Sequence, residues 1–174
     1  MDTNLNAVQE QIGQKKGHDD QVLSFILGRE EYGVDILTVQ EIKGWEKTTA
    51  IPNTPNYVMG VINLRGAVVP IIDLRVRFGL ENITYNESTV VIILRAEDVS
   101  GSQKIIGLVV DGVSDVYTLN KSEIQSSPDM QGTIHTDYVN GLATVGEKMI
   151  VVLNVNQLIN EGILARIRKS LNRE

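Results

Sequence analysis

The chain repeats one small unit, and that repeat constrains its fold more than any other feature. Residues 60–74 and 141–155 align without a gap. Gly60 meets Gly141, and apolar meets apolar at Val61/Leu142, Leu64/Val145, Val68/Met149, Val69/Ile150 and Ile71/Val152. Asp73 faces Asn154 where each apolar run stops. A second pair lies upstream. Tyr32-Gly33-Val34 followed by Val39-Gln40-Glu41-Ile42 matches Ile106-Gly107-Leu108 followed by Val113-Ser114-Asp115-Val116, again without a gap. Each half reads as strand, return strand, long connection, hairpin, strand. Two copies of one β-unit predict two similar barrels packed together. Chance convergence of short hairpins on Gly and Val is the competing explanation, and the shared order of both pairs argues against it.

Local composition agrees. Strands are predicted over 22–27, 57–64, 67–72, 90–94, 105–110, 139–145 and 149–153, with a return strand from Tyr32. These runs are rich in Val and Ile, whose branched Cβ suits a pleated surface. Pro70 lacks an N–H, which places it at an edge or bulge of its strand. Two helices are predicted: a short one over 34–42, and a clearer one over 156–171. In the second, Ile159, Ile163, Ile167 and Leu171 recur every four residues, with Arg166, Arg168 and Lys169 on the other faces. Residues 1–20 hold few apolar side chains, too widely spaced to bury anything, and read as a disordered tail. The expected organisation is a tail (1–20), a β-rich domain (21–160) and the end of an amphipathic helix (161–174).

A search for chemistry finds little. Cysteine is absent, which excludes disulfides, thiolate metal sites and a cysteine nucleophile. His18 and His135 have no partner at metal-ligand spacing. No nucleophile elbow, phosphate loop or dinucleotide fingerprint occurs. The stretch Asp111-Gly112-Val113-Ser114-Asp115 lacks the regular ligands of a calcium loop and reads as a turn after a strand. Lys and Arg number 16 against 22 Asp and Glu, a formal charge of −6, which argues against a nucleic-acid surface. The longest apolar runs fall far short of the roughly 20 residues of a membrane span, and the polar N-terminus is not a signal peptide. A cytoplasmic protein with no cofactor or metal is expected, without direct membrane insertion.

Surface recognition is left. Arg65 precedes Gly66 in a turn joining two strands, and it is either a solvated turn residue or a projecting contact. Val39, rimmed by Gln40 and Glu41, is either an exposed apolar contact or ordinary core. Trp45 reads as a half-buried lid over a barrel end rather than a binding anchor.

At these residues the sequence resembles a known family. Glu30 to Leu37, Val39 to Ile42, Gly60 to Gly66, Val69 to Leu74 and Val110 to Val116 are similar to the bacterial chemotaxis coupling proteins of the CheW family. The combination of Asn63-Leu64-Arg65-Gly66 with Pro70-Ile71-Ile72-Asp73-Leu74 is specific to CheW-like domains, and the resemblance covers roughly 21–159. It implies an all-β fold with short helices: two intertwined five-stranded SH3-like barrels plus a C-terminal helix. It implies a non-enzymatic adaptor that couples the cytoplasmic tips of methyl-accepting chemoreceptors to the regulatory domain of the histidine kinase CheA. That adaptor would be recruited to membrane-bound receptor arrays, with other CheW copies as further partners. Carried over residue by residue, the receptor-binding groove between the barrels falls on Val39, Glu41, Ile42 and Arg65, with Val90 and Val116 nearby. A second surface, toward kinase or neighbouring adaptors, falls on Gln125, Asp129 and Met130. The alternative reading is a small-ligand-sensing β-barrel, which needs a polar-lined cavity.

Overall fold

Hairpins with tight turns build most of the molecule. The computed structural model describes Val8 and residues 21–98, 100–120, 123–125 and 139–160. These form β1 (Gln21–Leu27), β2 (Glu30–Asp35), β3 (Val39–Gly44), β4 (Val58–Leu64), β5 (Ala67–Asp73) and helix α1 (Leu74–Arg77). Then come β6 (Val90–Glu97), β7 (Gln103–Val110), β8 (Gly112–Thr118), β9 (Ile124–Gln125), β10 (Val139–Val145), β11 (Lys148–Leu153) and helix α2 (Val155–Asn160). Two sheets result, ordered β8-β1-β2-β11-β10-β9 and β3-β6-β7-β5-β4. The mostly-β fold read from the sequence is what forms, with the two-residue β9 as a sixth strand of the first sheet.

The repeat is a repeat of structure. The hairpins β4–β5 and β10–β11 close on Leu64↔Ala67 and Val145↔Lys148, and both slip register beside their shared glycine, Gly60 or Gly141. A Cβ at Gly60 would lie 2.1 Å from the Thr49 carbonyl oxygen, and one at Gly141 would lie 2.3 Å from that of Gln125. Only glycine fits either place. The Asp73/Asn154 match is a match of helix caps. Asp73 Oδ1 accepts the Arg75 N–H at 3.0 Å ahead of α1, and Asn154 Oδ1 accepts the Gln157 N–H at 3.1 Å ahead of α2.

The halves exchange partners. β5 pairs in parallel with β7 through Ile71↔Gly107, and β11 pairs in parallel with β2 through Val152↔Gly33. Each hairpin therefore completes the sheet of the other half, which is the physical meaning of the intertwining. One face of each sheet surrounds its own small cluster: Val22, Ala143 and Val152 in the first, Ile71, Val91, Ile93 and Val109 in the second. The opposite faces pack together in a large shared core that includes Phe25, Val34, Ile92, Leu94 and Leu108.

Three expectations change or fall outside the described residues. The helix over 34–42 does not form. β2 runs to Asp35, a three-residue 3-10 turn (Ile36–Thr38) follows with the Asp35 carboxylate accepting the Leu37 N–H, and β3 begins at Val39. Val34, Ile36, Val39 and Ile42 point inward from three short elements, and their spacing imitates a helical face. Of the C-terminal helix, α2 is described to Asn160, with Leu158 and Ile159 buried, and 161–174 lies outside the described residues. The tail also lies outside them except for Val8, which is buried in the shared core. Burying a valine contributes roughly 1.5–3 kcal/mol, so removing residues 1–20 should lower stability by about that amount. A urea midpoint unchanged by the deletion would show that Val8 contributes nothing.

Candidate functional site

Arg65 stands at the tip of the β4–β5 hairpin in the left-handed region, with φ 50°, and Gly66 follows at φ 89°. Two positive φ angles in a two-residue loop make the turn whose twist matches a hairpin. The Gly66 N–H donates to Asn63 Oδ1 at 2.8 Å and holds the turn closed. In the other hairpin the position matching Arg65 is Gly146, at φ 61°. Glycine takes this conformation freely, whereas a residue with a Cβ loses roughly 1–2 kcal/mol there. The arginine is thus held at a conformational cost that the repeat shows to be avoidable.

Its guanidinium reaches across the sheet. Nη2 donates to Glu41 Oε1 at 2.7 Å and Nη1 to Oε2 at 3.3 Å, a two-point fork. Glu41 lies in β3 and Arg65 follows β4, the first and last strands of the second sheet. Thr49, in the segment that follows β3, and Val61 of β4 exchange two backbone hydrogen bonds, at 2.8 and 2.9 Å. The ion pair and the bridge close this sheet on itself. Arg65 keeps 67% of its side chain exposed against 23% for Glu41, so the pair offers a guanidinium to solvent with its carboxylate behind it.

The apolar members of the expected groove sit differently. Val39, Ile42 and Val90 are buried in the shared core, and Val116 is half-buried against it. Val39 is 0% exposed, so it is core and not an exposed contact. β3 begins at this residue, and the side chain turns inward to meet the sheet behind it. The exposed apolar residue of that segment is Leu37, at 43%, with Val68 at 68% on the Arg65 hairpin. Sequence reasoning missed both, although their places on a turn and next to a hairpin tip were legible. Ile42 and Val90 lie near each other, since Ile42 pairs with Ile92 and Gly44 with Val90. Val116 belongs to the other sheet, and the exposed Gln125 sits on its far edge strand. Asp129 and Met130 lie outside the described residues, as do His18 and His135. Trp45 is half-buried against the second sheet's cluster and stacks on Tyr85 at 4.6 Å, as a lid would.

A buried polar cluster escaped the sequence reading. Arg75 is 1% exposed. Its Nε and Nη2 donate to the two oxygens of Asp73, and its Nη1 donates to the Thr84 carbonyl and to Asp111 Oδ1, all at 2.7–3.0 Å. Asp111, read as a plain turn residue, also accepts the Gly28 N–H at 2.7 Å from the β1–β2 turn of the other sheet. Burial alone would lower the Arg75 pKa; hydrogen bonds and charge from Asp73 and Asp111 outweigh it and raise the value. The cluster ties the two barrels together. It also holds Tyr85, whose hydroxyl donates to Asp73 Oδ2. Burial first, and then that bond, raise its pKa from 10.0 to about 12. The neutral phenol is the form the fold prefers, so its contribution is complete below pH 10.0 and lost as pH rises through about 12. Tyr85→Phe should remove one tyrosinate step in that window from an absorbance titration and flatten the alkaline loss of stability.

Among the described residues no group of three His, Asp or Glu side chains is placed to hold a metal, and no helix is long and apolar enough to cross a membrane. The fold is a double-barrel β-domain with a solvent-facing guanidinium–carboxylate pair at one hairpin tip. The model of the CheW-like domain matches residues 21–162, and the chain belongs to that family. Chemotaxis protein CheW of Klebsiella aerogenes is 43% identical over 163 residues, 94% of each chain. The probable chemotaxis protein CheW of Rhizobium etli is 36% identical over 143 residues, 82% of this chain and 89% of that one. Among solved structures, the scaffolding protein TtCheW of Thermoanaerobacter tengcongensis superposes with a TM-score of 0.71 at 34% identity, covering 82% of this chain and 93% of that one.

Proposed function

We propose that this protein is a non-enzymatic chemotaxis adaptor that couples methyl-accepting receptors to the histidine kinase CheA, so that receptors control kinase activity. The observation that carries the reading is similarity along nearly the whole chain to a chemotaxis protein, in a family with a solved scaffolding protein. The receptor surface is centred on Arg65 and Glu41, with Leu37 and Val68 as exposed apolar neighbours. Val39, Ile42 and Val90 support that surface from the shared core, and Val116 packs against the same core from the other sheet. A guanidinium backed by a carboxylate suits the carboxylate and amide groups of a helical receptor tip. Gln125, Asp129 and Met130 are the residues assigned to contact with kinase or neighbouring adaptor copies. Kinase binding on a second surface lets one chain hold both partners at once. The test mixes full-length protein, kinase and receptor-bearing membranes. The adaptor should carry kinase down with the membranes, and kinase alone should stay in solution. Kinase that sediments equally without the adaptor would overturn the reading.

A further inference from the structure

Two barrels built from one unit differ in the lining around one matching glycine. In the second sheet, Ile93 sits opposite Gly107 and Ile105 lies two residues before that glycine, all against the apolar cluster. In the first sheet the matching glycine is Gly33. Ser24 sits opposite it, and Glu31 lies two residues before it. A hydroxyl and a carboxylate thus occupy the inward positions that two isoleucines fill in the twin barrel.

Glu31 is incompletely satisfied there. Its Oε1 accepts the Ser24 hydroxyl at 3.1 Å, while Oε2 is shielded from solvent and accepts no hydrogen bond. Buried polar atoms are nearly always paired, so an orphaned carboxylate oxygen asks for a partner. Among the described residues, the cations nearest the opening, Arg29 and Lys148, form no ion pair with it. Glu31 lines a cavity of about 330 Å³ at the mouth of this barrel. Ile26 and Met149 supply apolar wall, Ser114 a hydroxyl, Arg29 and Lys148 positive charge, and the exposed Glu30 a second carboxylate. Met149 is exposed although apolar. The volume lies at the small end of ligand-binding cavities.

We propose that this cavity binds a small zwitterion on an apolar stem. Its ammonium meets the Glu31 carboxylate, its stem lies along Ile26 and Met149, and its carboxylate meets Arg29 and Lys148. Two cations and two carboxylates line the cavity, so a molecule carrying both charges matches the lining better than one carrying either charge alone. The site lies on the first sheet, whereas Arg65 and Glu41 belong to the second, so it can be tested apart from receptor coupling.

The experiment titrates the full chain with ω-amino acids from 4-aminobutanoate to 6-aminohexanoate, following the signals of Ile26, Ser114 and Met149 by nuclear magnetic resonance. Hexanoate and hexylamine, each with one charge, are the comparisons. One member of the zwitterion series should shift these signals saturably and bind about tenfold tighter than either comparison, the gain of one charge-assisted contact. Glu31→Gln should weaken it about tenfold with the remaining spectrum unchanged. Lys148→Ala, at the exposed start of β11, should also weaken it and tests the site independently of the Glu31 carboxylate. No saturable shift, equal binding of zwitterionic and singly charged probes, or full binding by both variants overturns the proposal. A capped Glu-Lys peptide that binds where no free ω-amino acid does assigns the cavity to a partner's side chain and overturns the small-ligand reading.

Discussion

Arg75→Met lowers the stability of the chain by about 3–5 kcal/mol, the usual consequence of removing one partner from a buried ion pair. Asp73 is 0% exposed and loses both guanidinium bonds, so its charge stays behind with only the Tyr85 hydroxyl and the Arg75 N–H. A domain whose total stability is about 5–15 kcal/mol then stands near its unfolding threshold. Arg75→Lys recovers only part of the loss, because an ammonium cannot offer the planar fork that meets Asp73, Asp111 and the Thr84 carbonyl together. Asp111→Asn costs less, since that side chain is partly exposed and an amide oxygen can still accept the Gly28 N–H. Urea unfolding of the three variants checks the order. A methionine variant within 1 kcal/mol of the parent, roughly a single hydrogen bond, would show that the cluster does not hold the barrels together.

Arg65→Gly separates binding from folding. The substitution removes a surface ion pair contributing about 0–1 kcal/mol and relieves a left-handed residue of roughly 1–2 kcal/mol. Stability should therefore stay the same or rise. The matching Gly146 shows that the hairpin accepts glycine there. On the proposed function, receptor affinity should fall about tenfold to a hundredfold, as for one lost charge-assisted contact. Arg65→Glu should be worse, because a carboxylate placed against Glu41 adds repulsion at the same spot. Kinase should still co-purify with either variant. Co-sedimentation with receptor membranes gives the affinity, and thermal unfolding gives the control. A glycine variant that unfolds would make Arg65 structural. One that folds and binds receptor at full strength would move the receptor site elsewhere.

The repeat, the turn residues and the alternation of Val and Ile with polar residues were legible because hairpins are local. Leu64 and Ala67 are near neighbours in the chain, and a short span of residues states their register. The same locality made 34–42 misleading. Three short elements placed Val34, Ile36, Val39 and Ile42 at near-helical spacing, and only their burial in the shared core explains that pattern. For the candidate site, the sequence pointed to Arg65 at a turn and Glu41 in an alternating segment. It did not say that they pair, because the contact spans 24 residues and joins opposite edges of a sheet.

By itself the sequence determined a β-unit used twice, the matched Gly60/Gly141 and Asp73/Asn154 positions that bound it, and membership of the CheW-like family. Only the tertiary structure decided that each hairpin completes the other half's sheet, that Val39 is core while Leu37 is exposed, and that Asp111 is a partner of Arg75. It also decided that Glu31 opens the first barrel's interior where isoleucine seals the second. The reason is physical. Parallel pairing of β5 with β7 and β11 with β2, like the Arg75–Asp111 bond across 36 residues, depends on two distant segments meeting, and neither segment carries a pattern that names the other.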